Sequence, residues 1–172
     1  MGTIKLSIPD EHLRAIGLVS VNFALLENAL AHLAWELLAV PRELGEAVTC
    51  ELSFRNLVAL VSSLYRHRAT DPARIEACET LLTRASEVEA KRNAIVHSLW
   101  LTGGRPSAVV RVKVSAKKSR GLEYKTHEVR VEDLESTAEE AIVIAGQVLD
   151  LAVWRVLPVP TSPQHDEVGD DA

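Results

Sequence analysis

The chemistry-bearing side chains of this 172-residue chain concentrate in the string Arg92-Asn93-Ala94-Ile95-Val96-His97. On a helix, Glu89, Asn93 and His97 fall at i, i+4 and i+8 along one ridge, with Arg92 about 100° around from Asn93. A carboxylate, an amide, an imidazole and a cation then share one broad polar face, while Val88 and Ile95 can point inward. An imidazole titrates near neutral pH and can move a proton, and a guanidinium can grip a phosphate through two parallel hydrogen bonds. A purely structural reading stands beside this one, because Arg and His near a helix C-terminus also complement the macrodipole. Spacing alone leaves both readings open.

Other reactive residue types offer less. Cys50 and Cys78 lack Cys-x-x-Cys spacing and have no histidine at ligand distance in sequence, so both are expected to be small buried apolar residues rather than a metal pair. His12, His32, His67, His127 and His165 form no metal spacing with carboxylates and read as surface or boundary residues. Neither a metal nor a cofactor is expected: there is no Gly-rich phosphate loop, nucleophile elbow or paired-carboxylate motif.

The elements that must position the string follow from periodicity. A long first helix is expected from Pro9 to about Val40, with Ile16, Val19, Phe23, Leu26, Leu30, Leu33 and Leu37 at steps of three and four. Leu18, Leu25, Ala29 and Trp35 widen its apolar surface, which then needs burial on two sides, by its own chain or by a second subunit. Pro41 stops it, and a short connection leads to a second helix starting at Ser53. Thr70-Asp71-Pro72 opens a third, expected to run to Leu99 and to be stopped by Gly103-Gly104-Arg105-Pro106. Between about 108 and 131 the period changes to two around Lys117-Lys118-Ser119-Arg120-Gly121, which predicts a β-hairpin. A last helix opens at Asp133 or Ser136 and ends at Pro158 and Pro160. Residues 1–157 thus read as one mainly α domain, and 158–172 as a disordered acidic tail.

Charge is distributed unevenly. The net charge of −5 argues against a general nucleic-acid coat, yet residues 105–130 hold eight Lys/Arg against two Glu. That hairpin region carries about +6, leaving about −11 elsewhere. Arg111, Lys113, Lys117, Lys118 and Arg120 are therefore candidate RNA contacts, although lysines protecting a solvated edge strand give the same pattern. Trp35, Trp100 and Trp154 read as core or dimer-seam residues, and Tyr124 alone interleaves with the basic run. No uninterrupted apolar run reaches the ~18–20 residues of a bilayer span, and no leader is visible, so a cytoplasmic location with no membrane partner is expected.

Arg92-Asn93-x-x-x-His97, late in the third helix of a compact helical domain, resembles the signature of the HEPN superfamily. Phe23-x-x-Leu26-Glu27-x-x-Leu30 followed by Trp35 is similar to the first long helix of its prokaryotic members. The resemblance covers about residues 10–157 and implies a four- to five-helix bundle, the hairpin being an insertion before the last helix. It further implies a homodimer that brings two motifs into one cleft, and metal-independent endoribonuclease activity of a toxin or defence factor, with an antitoxin or other protein as a further partner. Carried onto this chain, His97 would be general base or acid at the ribose 2′-hydroxyl, Arg92 would stabilise phosphorane-like charge, and Asn93 would orient the site. Glu27 and Glu89 are supporting candidates, with solvated or capping roles as the plainer reading. Many members are inactive, so a non-catalytic dimeric module binding a protein or nucleotide is the second expectation.

Overall fold

The structure, a computed structural model, describes residues 8–102, 108–117 and 121–153, with 115–117 and 153 described by backbone alone. Five helices and a small sheet follow in the order α1 (Asp10–Leu38), α2 (Arg42–Thr49), α3 (Phe54–Arg68), α4 (Pro72–Val96), β1 (Leu99–Thr102), β2 (Val109–Lys117), β3 (Gly121–Glu128) and α5 (Val131–Val153). The mainly α bundle with a β insertion before the last helix is as expected. The tail at 158–172, Trp154 and His165 lie outside the described residues.

Local signals set several helix ends. Ser53 accepts the Asn56 N–H at 3.3 Å at the start of α3, and Asp71 accepts the Ala73 N–H at 3.0 Å at the start of α4, ahead of Pro72. α1 closes on Ala39 in the left-handed region (φ 56°), two residues before Pro41.

Three boundaries differ from expectation. The connection after Pro41 contains the one-face helix α2, too short for its period to stand out. α5 starts at Val131, before Asp133, because Glu132 and Asp133 occupy its first turn rather than the cap. α4 stops at Val96, and Leu99-Trp100-Leu101-Thr102 leave the helix to form β1. Two partners supplied by the sheet explain that stop: the Trp100 indole donates to Ile95 O at 2.9 Å, and Arg111 Nη1 donates to Ala94 O at 3.2 Å. Both donate to last-turn carbonyls that a helix end leaves without intrahelical partners, and Ala94 O accepts the Ser98 hydroxyl at 2.6 Å as well.

α1 is the central element. Phe23, Leu26, Leu30 and Leu33 are buried against Phe54, Leu57 and Val61 of α3, Leu82, Ala85 and Val88 of α4, and Ile144 and Val148 of α5. Each such side chain contributes about 1.5–3 kcal/mol of transfer free energy. A second cluster of Ala15, Val19, Ile95, Leu134 and Ala138 takes Trp100 and Val129 against it and so fastens the sheet to the bundle. Asn22 Nδ2 donates to Ala138 O at 2.9 Å across the α1–α5 seam. Among the described residues, α1 is long and apolar enough to cross a membrane by length and composition, with an 18-residue window of mean hydropathy 1.4. The apolar run is still interrupted by Glu27, Asn28, His32 and Glu36.

The sheet is an antiparallel three-stranded meander, β1-β2-β3, rather than a two-stranded hairpin. Its register pairs Trp100 with Arg111, Arg111 with His127 and Lys113 with Lys125, so these five share one face. The alternate residues, among them Leu99, Leu101, Val114, Leu122 and Tyr124, line the opposite face and are exposed.

Candidate functional site

α4 crosses α1 so that Arg92 meets Phe23. The guanidinium carbon stands 5.0 Å from the ring centroid, a cation–π contact, and Phe23 is itself held by Phe54 at 4.8 Å between centroids. Arg92 Nη1 donates to Asn93 Oδ1 at 3.0 Å, and Asn93 Nδ2 donates to Glu89 Oε1 at 3.4 Å. Glu89, Asn93 and Arg92 thus form a chain along the helix ridge, and Asn93 fixes the guanidinium plane at one end. Arg92 Nε is buried and has no hydrogen-bond partner among the described residues. An unpaired buried donor costs the fold about 1–3 kcal/mol, so the guanidinium is held here at the expense of stability.

Glu27 faces the same guanidinium from α1, one turn after Phe23. Burial raises its carboxyl above the ordinary carboxylate range, Arg92 opposes that shift, and Glu89 reinforces it. Burial outweighs the cation, so the net shift is upward although Arg92 is nearby. Glu27, Glu89, Arg92 and Asn93 are therefore brought together as the sequence singled them out.

His97 stands apart from this hydrogen-bond chain. It is the α4 C-cap (φ −99°, ψ 17°), its backbone N–H bonding Asn93 O at 3.1 Å, and its side chain is exposed. No described residue hydrogen-bonds the imidazole, so it is free to address a molecule in solution. The site as folded in one chain holds an ordered cation at its inner end and an unrestrained imidazole at its outer end.

The basic candidates divide. Arg111 is half-buried and spends a donor on Ala94 O, so it caps α4 rather than presenting a free cation. Lys113 is exposed on the same face with Lys125 and His127. Lys117 is described by backbone alone, at the end of β2, and Lys118 and Arg120 lie outside the described residues.

Several residues behave differently from their sequence reading. His12 is buried at 5% exposure, with Nε2 3.2 Å from Val129 O, and ties the start of α1 to the chain entering α5. Cys50 is exposed, while Cys78 is buried, which pushes its thiol up to about 12. Phe23 was legible only as core, since nothing in the sequence pairs it with Arg92; its place four residues before Glu27 was the one available hint. Among the described residues no group of three or more His, Cys, Asp or Glu could hold a metal ion. Comparison with protein-family models, with curated proteins and with solved structures found no match to this chain.

Proposed function

We propose that the chain is a HEPN-like, metal-independent endoribonuclease that acts as a homodimer, with His97 and Arg92 as its chemical groups and Asn93 as the residue that orients Arg92. The observation that carries this reading is the half-buried Arg92 guanidinium, clamped by Asn93 and Phe23 yet keeping a buried donor without a partner. In the proposed step His97 takes the 2′-hydroxyl proton, the 2′-oxygen attacks the adjacent phosphorus, and the bond to the 5′-oxygen breaks. A proton returned to that oxygen leaves a 2′,3′-cyclic phosphate and a 5′-hydroxyl. Arg92 stabilises the charge on the non-bridging oxygens.

Dimerisation is supported by apolar surface that the single chain leaves uncovered. Leu13, Leu18, Val21 and Leu25 of α1 are exposed, as is Val96 of α4, four residues beyond Arg92. A second copy seated there would cover the two-sided apolar helix and bring a second motif to the same region. Lys113 and Lys125 on the sheet face beyond the end of α4 suit docking of a polyanion. A role as a toxin or defence factor in the cytoplasm, restrained by an antitoxin, comes from the resemblance alone.

Purified protein incubated with total cellular RNA in EDTA tests the reading. Cleavage leaving 2′,3′-cyclic ends, reduced about 10²–10⁴-fold in His97→Ala, is the expected result. His97→Ala costs little stability, because its side chain is exposed and without hydrogen bonds. Absent cleavage, or equal cleavage by both proteins, would transfer the proposal to the non-catalytic module that binds a protein partner or nucleotide.

A further inference from the structure

A groove opens between α1, α2 and α3, with Glu27 and Asn28 among its α1 lining, Glu46 and Thr49 among its α2 lining, and a volume of about 390 Å³. That lies within the ~300–1,000 Å³ of small-ligand pockets. Its floor is one ridge of α1, where Ala24, Glu27, Asn28 and Ala31 follow at steps of three and four, and Leu52 and Leu57 supply apolar wall. The two alanines keep the ridge low on either side of the polar pair.

The Glu27 carboxylate has no hydrogen bond to any described residue, although it is half-buried. An ionised carboxylate is acceptor-only, with two oxygens side by side. Its best complement is a flat group presenting two adjacent donors. Among the nucleobases only guanine does so on its Watson–Crick edge, through N1–H and N2–H. Adenine and cytosine set a donor beside an acceptor, and uracil sets one donor between two acceptors. Asn28 is exposed and its amide is uncommitted, so it can donate to guanine O6. A desolvated carboxylate also gains more from such donors than one in water.

We propose that this groove is a base-binding subsite for a guanine-type nucleobase, read by two hydrogen bonds to Glu27 and held against the Leu52 and Leu57 walls. Glu27 both lines the groove and feels the charge of Arg92, so in this proposal the phosphate of a guanosine seated here addresses that cation. That last link rests on the ribonuclease reading; base recognition does not.

Calorimetric titration of the full chain with GMP, AMP, CMP and UMP tests it, beside Glu27→Gln and Arg92→Met. GMP is expected to bind at least about tenfold more tightly than the others, as a bidentate base contact gives. Glu27→Gln should erase the preference, since its amide turns a donor toward a donor. Arg92→Met should weaken all four nucleotides alike and keep the preference. Equal binding of the four, no GMP binding, or a preference that survives Glu27→Gln would each overturn the subsite. RNA cleavage without base preference would sink it and leave the ribonuclease standing. Selective GMP binding by a protein that cleaves no RNA would support the subsite while the ribonuclease reading fell.

Discussion

Replacing Arg92 with methionine removes the charge and the fork while keeping most of the stem that covers Phe23. On the favourable side of the folded state, the change deletes a charged hydrogen bond to Asn93, about 1.5–3 kcal/mol. It also deletes a cation–π contact of about 0.5–2 kcal/mol. Against these stand the buried Nε without a partner, which costs about 1–3 kcal/mol, and the partial desolvation of the guanidinium. The methionine sulfur on the Phe23 ring returns about 0.3–1.5 kcal/mol. The terms nearly cancel, so stability should change by no more than about 1.5 kcal/mol, or about 3–6 °C in Tm for a chain of this size. Catalysis should respond very differently. Loss of one preorganised donor to a developing anion costs about 2.7–4 kcal/mol, or 10²–10³ in rate. Thermal unfolding followed by circular dichroism, paired with single-turnover RNA cleavage, reads both quantities. A loss of stability beyond about 3 kcal/mol would refute the reasoning, because Arg92 would then be a structural member of its cluster rather than a cation held for a ligand.

Glu27→Gln should raise stability at neutral pH. A carboxyl whose folded pKa lies above its unfolded one favours the folded state while protonated and loses that favour as pH rises through the folded value. The gain over wild type should therefore appear in Tm at pH 7 and vanish toward pH 4, and a gain independent of pH would contradict the sign. Gly45→Ala places a Cβ 2.5 Å from Trp35 Cγ and Cδ1, in an α1–α2 contact fixed by the Trp35 indole bond to Thr49 Oγ1 at 2.9 Å. It should cost about 1–3 kcal/mol, measured by urea denaturation, with an unchanged midpoint excluding the close approach. Arg111→Ala and Lys113→Ala should part company. The first should lower Tm through the lost α4 cap. The second should leave Tm alone and reduce the salt slope of RNA binding by about one, and identical behaviour of the two would show that the sheet is not the docking face.

Helical periodicity and cap chemistry were enough to place α1, α3 and α4 at their starts, because Ser53 and Asp71 with Pro72 act within their own turn of chain. The same locality made the ridge of Glu89, Asn93 and His97 legible, since it depends only on residues per turn. The end of α4 was not legible. Residues Leu99 to Thr102 suit a helix as well as a strand, and the choice was made by β2, whose Arg111 and paired Trp100 reach back to the α4 carbonyls. Burial of His12 likewise depends on Val129, 117 residues away. Which cations are free was also a tertiary matter: Arg111 and Lys113 look alike in the sequence, and only the packing of the sheet commits the first to a helix end. The meeting of Arg92 with Phe23 and Glu27 belongs to this second class. The sequence named the cation and the carboxylate, but the crossing of α4 over α1 made them neighbours, because contacts between helices are set by how side-chain ridges pack and not by spacing along either chain.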